Sequence, residues 1–226
     1  MQQPGSIQKL APAALIATSV LVILVGAIWG IRLLTMVRSQ PAIQPANNAI
    51  GGFPMTGDLA PDFALTDQFG HSVTLASLRG HEVVLAFIDS RCTSLCPLTA
   101  NIMYNARAKL GSAAVSQIVL VAVNANPTAT SVAEVQDWSI KHGMLHQWLF
   151  LTGSAKQLES VYHMYNVYVQ VDSSGNVVHD SVMLVLDAAG HERLYFETLD
   201  SNSKTDLSDE IIGLQAGMKQ WLPQPQ

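Results

Sequence analysis

The feature that most constrains this 226-residue chain is Leu10 to Ile31, a run of 22 residues without a charge in which Thr18 and Ser19 are the only polar side chains. As a helix rising about 1.5 Å per residue it would measure roughly 33 Å, enough to cross a hydrocarbon core of about 30 Å. The run exceeds the roughly 7–15 apolar residues of a cleavable signal peptide, so residues 1–38 are expected to form an uncleaved transmembrane anchor. Lys9 stands on one side of the run and Arg32 and Arg38 on the other, so basic residues do not decide its orientation. The next stretch, 39–58, holds Pro41, Pro45 and Pro54 among glycines and shows no hydrophobic period, the composition of an extended linker. Residues 59–222 remain for one domain with its own core. Once Lys9, Arg32 and Arg38 are set aside, nine basic residues face 17 acidic ones. That balance argues against nucleic acid or an anionic lipid surface as a partner of the domain.

Within the domain, apolar runs bounded by turn residues alternate with amphipathic stretches. Strands are expected at Val83–Ile88, Ile118–Val123 and Trp148–Leu151, each followed by a helix: Leu98–Leu110, Val132–Lys141 and Ala155–Tyr165. The continuously apolar strands predict an α/β domain with a central sheet covered on both faces. Ser181–Leu186 and Glu192–Phe196 flank the turn Asp187-Ala-Ala-Gly190, a hairpin pattern, and Asp206–Trp221 predicts a last helix. This order of elements is that of a thioredoxin-like domain. The segment from Ala60 to Gly70 resembles the entry segment of peroxiredoxins and related membrane-tethered redoxins.

The two cysteines of the chain both lie in Cys92-Thr-Ser-Leu-Cys96-Pro97, after the first central strand and at the start of a helix. Helix amino ends stabilise thiolates through free N–H groups and the helix dipole, and Pro97 suits a first turn, where its missing N–H costs little. A structural disulfide across so short a loop would constrain the unfolded chain little, whereas the carboxyl end of a core strand is where open α/β sheets place their sites. A reactive pair at this spacing admits three chemistries. Thiol–disulfide exchange usually employs two intervening residues, and here there are three. Peroxide reduction expects a threonine three residues before the nucleophile, where this chain has Asp89. A soft metal site needs at least one further donor.

Seven histidines could supply that donor. His71, His81 and His191 fall in or beside turns and are expected to be solvated. His142 and His146 have helical spacing, but Gly143 between them should end the helix. His163 lies in a helical stretch where packing or capping accounts for it. His179 precedes Asp180 in the approach to the strand Ser181–Leu186, where a thioredoxin-like fold brings the chain beside the active-site helix. Met103, Met144, Met164 and Met183, together with Trp138, Trp148 and Trp221, are expected to be packing residues.

The spacing Cys92-x3-Cys96-Pro97, with His179 eight residues before Asp187, resembles the Sco/SenC family of copper-binding assembly factors for cytochrome c oxidase. The resemblance runs from about Leu59 to Trp221 and extends to the single amino-terminal anchor. It implies Cys92, Cys96 and His179 as ligands of copper, as Cu(I) or as Cu(II) with a further oxygen donor, and a copper-accepting subunit of a respiratory oxidase as partner. Thr93 and Ser94 stand where family members commonly carry Pro and Asp, so there is less negative charge beside the cysteines. The same pair without metal would serve a thiol–disulfide oxidoreductase, with Cys92 and Cys96 as its catalytic residues. Either use of the pair implies an extracytoplasmic domain on a single-pass membrane anchor, with a thiol reductant to keep the site competent in an oxidising compartment.

Overall fold

The computed structural model describes residues 52–198 and 206–223. The expected anchor and the linker up to residue 51 lie outside these residues, and among the described residues no helix is long and apolar enough to cross a membrane.

The described chain forms a mixed α/β fold around a six-stranded sheet. Its strands are β1 (Phe53–Pro54), β4 (Glu82–Ile88), β5 (Ile118–Asn124), β6 (Leu149–Leu151), β9 (Val182–Leu186) and β10 (Glu192–Glu197), in the order β1-β10-β9-β4-β5-β6. β4, β5 and β6 are parallel, β9 runs antiparallel to β4, and β10 and β1 continue antiparallel. Two small ribbons stand apart: β2 (Ala64–Thr66) with β3 (Ser72–Thr74), and β7 (Val169–Val171) with β8 (Val177–His179). The helices are α1 (Leu95–Ala108), α2 (Ser112–Val115), α3 (Val132–Lys141), α4 (Ala155–Met164) and α5 (Leu207–Trp221).

Alternation along β4 explains why the sheet is covered twice. Val84, Ala86 and Ile88 face one apolar cluster, with Ile102 and Met103 of α1 and Leu214 and Met218 of α5. Val83, Leu85 and Phe87 face the other, with Phe63 and with Leu158 and Tyr162 of α4. A strand with both faces buried must be apolar at every position, and β4 and β5 obey this except at their ends, where Glu82 and Asn124 are fully buried.

Local signals set the element ends. Ser131 and Ser154 cap α3 and α4 through complete capping boxes with Glu134 and Gln157. Gly143, at φ 71°, follows the carboxyl cap of α3, and Gly190, at φ 87°, makes the turn between β9 and β10. Most element ends fall within a residue of the sequence expectation, but α1 runs Leu95–Ala108 rather than Leu98–Leu110, so that Cys96 lies inside its first turn, and two further segments differ. The sheet begins at Phe53, inside the stretch expected as linker, because Phe53 and Pro54 pair with Tyr195 and Leu194. Residues 169–179, expected only as an approach to a strand, form their own hairpin, with Val169 paired to His179.

Candidate functional site

The carboxyl end of β4 leads into Asp89, and the loop that follows is fixed before the first cysteine is reached. The Asp89 carboxylate accepts the Arg91 N–H at 2.8 Å and the Asn126 side-chain amide at 2.8 Å, and its carbonyl accepts the Cys92 N–H at 3.0 Å. Asn124, at the end of β5, accepts the N–H groups of Asn126 at 3.1 Å and Ser90 at 3.4 Å, and donates to the Ala129 carbonyl at 2.6 Å and the Thr152 hydroxyl at 3.3 Å. From α3, Glu134 pairs with Arg91 at 2.6 Å and the Trp138 indole donates to the Cys92 carbonyl at 3.2 Å.

α1 starts immediately afterwards, and its amino end is capped by sulfur. Ser94 occupies the cap position without making a side-chain cap bond, while the Cys96 N–H donates to Cys92 Sγ at 3.4 Å and the Ser94 hydroxyl lies 3.7 Å from that sulfur. Both cysteines are free thiols; Cys92 is half-buried and Cys96 is buried. A hydrogen bond from the Cys96 thiol lowers the Cys92 pKa to about 5, with the N–H groups of Cys96 and Ser94 and the Ser94 hydroxyl adding to it against the opposing effect of burial. The same bond, then burial, then the Cys92 charge push Cys96 strongly upward. The pair is therefore polarised into an accessible thiolate and a buried thiol.

His179 reaches this pair from the far end of the β7–β8 hairpin, its Nε2 lying 3.5 Å from Cys96 Sγ. The other ring nitrogen, Nδ1, lies 2.8 Å from the Asp180 carbonyl. A carbonyl only accepts, so Nδ1 carries the proton and Nε2 of the neutral ring presents its lone pair to Cys96. Asp180 is itself held, since its carboxylate accepts the Tyr168 N–H at 2.8 Å and its own N–H donates to the Tyr168 carbonyl at 3.1 Å.

The three residues singled out in the sequence thus meet: Cys96 touches both Cys92 and His179. Among the described residues, no group of three or more His, Cys, Asp or Glu side chains stands close enough together to hold a metal ion. The Cys96–His179 separation nevertheless matches one edge of a metal-ion site. For a tetrahedral ion such as zinc, bonds of about 2.3 Å to sulfur and about 2.0 Å to nitrogen give a sulfur–nitrogen distance of roughly 3.5 Å. Two thiols and an imidazole nitrogen with a free lone pair are also a soft donor set.

The other histidines lie elsewhere. His142 follows the end of α3, 4.1 Å from the Trp138 ring, and His146 stacks on Phe69 at 5.6 Å, so the two do not act as a pair. Sequence reasoning missed Asn124, Asn126 and Trp138 as supports of the cysteine loop. The signal available was polar residues, Asn124-Ala-Asn126, directly after a strand that is otherwise wholly apolar.

The fold is similar to that of solved Sco proteins. Arabidopsis thaliana ScoI with copper bound superposes with a TM-score of 0.61 at 22% identity over 73% of this chain and 100% of that one. Apo Sco1 from Thermus thermophilus gives 0.63 at 21% identity over 76% and 96%. BsSco, a member of the Sco family of cytochrome c oxidase assembly proteins in which a disulfide switch was identified, gives 0.57 at 19% identity over 74% and 98%. No curated protein sequence matches the chain. The SCO1/SenC family model matches residues 54–211, and the chain belongs to that family.

Proposed function

We propose that this protein is a membrane-anchored copper chaperone that carries copper on Cys92, Cys96 and His179 and passes it to a copper centre of a respiratory cytochrome c oxidase. The observation that carries this reading is the orientation of His179: its Nδ1 is occupied by the Asp180 carbonyl at 2.8 Å, and its Nε2 faces Cys96 Sγ at 3.5 Å. Histidines that ligate metals donate their other ring N–H in this way to a carbonyl or carboxylate. Membership of the SCO1/SenC family and the copper-bound Arabidopsis relative support copper as the cargo.

Two thiolates and one imidazole suit Cu(I). Cys92 is half-buried and is the sulfur that an incoming partner thiolate would meet, while Cys96 and His179 hold the ion from beneath. Stepwise exchange of these ligands for those of the acceptor moves the ion without any change in its charge. In the copper-free protein, loss of two electrons and the Cys96 proton to a disulfide acceptor, which takes its second proton from solvent, would join Cys92 to Cys96 and leave the site unable to bind until a thiol reductant restores it. The apolar run Leu10–Ile31 supports a single-pass anchor, and the redox chemistry of the pair supports an extracytoplasmic domain.

The test is a Cu(I) titration of the reduced full chain with ligand counting by X-ray absorption, comparing wild type, His179→Ala and a Cys92→Ser/Cys96→Ser control. The proposal expects two sulfur ligands and one nitrogen, with the nitrogen and much of the affinity lost in His179→Ala. Wild-type affinity no higher than that of the control would refute the chaperone reading. A reporter fused after Gln226 tests the outward orientation.

A second reading, thiol–disulfide oxidoreductase, is favoured by the polarised pair, in which Cys92 is a thiolate with its pKa near 5 and Cys96 is placed to resolve a mixed disulfide. Exchange requires no imidazole. Disulfide reduction that survives His179→Ala, together with absent copper binding, would select it.

A further inference from the structure

One helical turn below Cys96 lies a cluster of three hydroxyls supplied by three separate parts of the chain. Thr99 of α1 is fully buried, and Thr198, directly after β10, nearly so. Thr99 Oγ1 lies 3.1 Å from the Leu95 carbonyl, 2.9 Å from Thr198 Oγ1 and 3.3 Å from Ser181 Oγ. The carbonyl can only accept, so Thr99 gives its one proton to Leu95, and its two lone pairs receive the protons of Ser181 and Thr198. The main chain repeats the tie, the Thr198 N–H donating to the Ser181 carbonyl at 2.9 Å.

The members of this cluster are defined by their distance from the site. Thr99 is three residues beyond Cys96 on the same helix face, and Ser181 is two residues beyond His179, between β8 and β9. The Cys96–His179 contact otherwise joins a helix to a hairpin that is hydrogen-bonded to no strand of the main sheet. The buried hydroxyls of Thr99 and Thr198 have no water to turn to if this arrangement slips, so the cluster resists the sliding motion that would part sulfur from imidazole.

We propose that Thr99 is a positioning residue that, through Ser181 and Thr198, holds Cys96 and His179 at the separation at which both reach one copper ion. This rests on the copper reading above, and it makes the nitrogen ligand, rather than the sulfurs, depend on a residue that touches no metal.

The test uses the full chain carrying Thr99→Val, which keeps the shape and removes the hydroxyl, and Thr99→Ser, which restores it. In the reduced copper-free protein, a proton–proton Overhauser contact between Cys96 Hβ and the His179 ring is expected in wild type and Thr99→Ser and absent in Thr99→Val. On Cu(I) loading, Thr99→Val should keep two sulfur ligands, lose the nitrogen and bind about tenfold or more weakly, while Thr99→Ser behaves as wild type. A folded Thr99→Val that retains the Overhauser contact and the nitrogen ligand overturns the proposal. Should Thr99→Val fail to fold, Ser181→Ala, which removes one donor from a half-buried position, must weaken the same contact; an unchanged contact overturns it equally. If wild type itself holds no copper beyond the double-cysteine control, the copper reading falls, and the Overhauser contact still decides whether Thr99 positions the pair.

Discussion

The Trp138 indole donates its proton to the main-chain carbonyl of Cys92 at 3.2 Å, joining residues 46 positions apart in sequence. A helix outside the cysteine motif thereby holds the peptide from which the half-buried Cys92 sulfur projects. Trp138→Phe keeps an aromatic ring against Trp148 and Phe150 but deletes this bond. A loss of about 1–2 kcal/mol in urea unfolding is expected, with faster hydrogen exchange confined to residues 89–93. Unchanged exchange there would show that the bond does not restrain the loop.

The two sulfurs should differ in reactivity. Because the Cys92 pKa is lowered to about 5 and that of Cys96 is strongly raised, iodoacetamide should modify Cys92 alone at neutral pH. Its rate should rise between about pH 4 and 6 and then level off. A rate still climbing at pH 9, or one unaffected by Cys92→Ser, would contradict the assignment. The same polarisation predicts that Cu(I) loading at pH 8 releases about one thiol proton, from Cys96, rather than two. Titration in a weak buffer counts it.

Glu82 sits at the other end of β4, with both carboxylate oxygens buried and without a hydrogen-bond partner. Burial first, and the Asp187 charge second, raise its pKa from 4.5 to about 8. Below pH 4.5 both folded and unfolded chains hold this proton, so it contributes nothing to pH dependence. Between pH 4.5 and 8 the unfolded chain gives it up while the folded chain retains it, so stability falls as pH rises, and the loss is complete above 8. Urea unfolding at pH 5 and pH 8 should show wild type losing a few kcal/mol more than Glu82→Gln over that interval. Equal pH dependence in the two proteins would mean that Glu82 is ionised in the fold.

Asn124 ties the loop after β5 to the start of the cysteine loop. Its side chain makes four hydrogen bonds, to Ser90, Asn126, Ala129 and Thr152, from a fully buried position. Asn124→Leu fills the volume but leaves the Ser90 and Asn126 N–H groups and the Ala129 carbonyl unmatched. The expected cost is on the order of 3 kcal/mol, with loss of the Cys96–His179 contact by NMR. A cost below about 0.5 kcal/mol, the size of an ordinary surface change, would show that water replaces these bonds.

The strands and helices were legible because burial writes itself into the sequence: β4 and β5 are apolar at consecutive positions, and α3 begins and ends where Val132 and Lys141 were expected to place it. The cysteine loop was legible from Cys92 and Cys96 alone. The β7–β8 hairpin was not, since Val169–Val171 and Val177–His179 are three-residue strands with partly exposed side chains and carry no burial pattern. Thr99, Ser181 and Thr198 are ordinary residues whose meaning lies in contacts over 82 and 99 positions, and no local period encodes such contacts. Trp138 looked like core, and it is core; its indole nitrogen is what the packing pattern leaves out.

The six-stranded sheet ends on β1, two residues long and carrying Pro54, and on β6, three residues long. Borders so brief offer a visitor few main-chain groups to zip onto, and proline withholds one of those. Recognition by continuing the six-stranded sheet with a strand of another molecule is therefore disfavoured at both of its margins. Main-chain groups remain open to a visitor on the β7–β8 hairpin, which pairs with no other strand and carries His179.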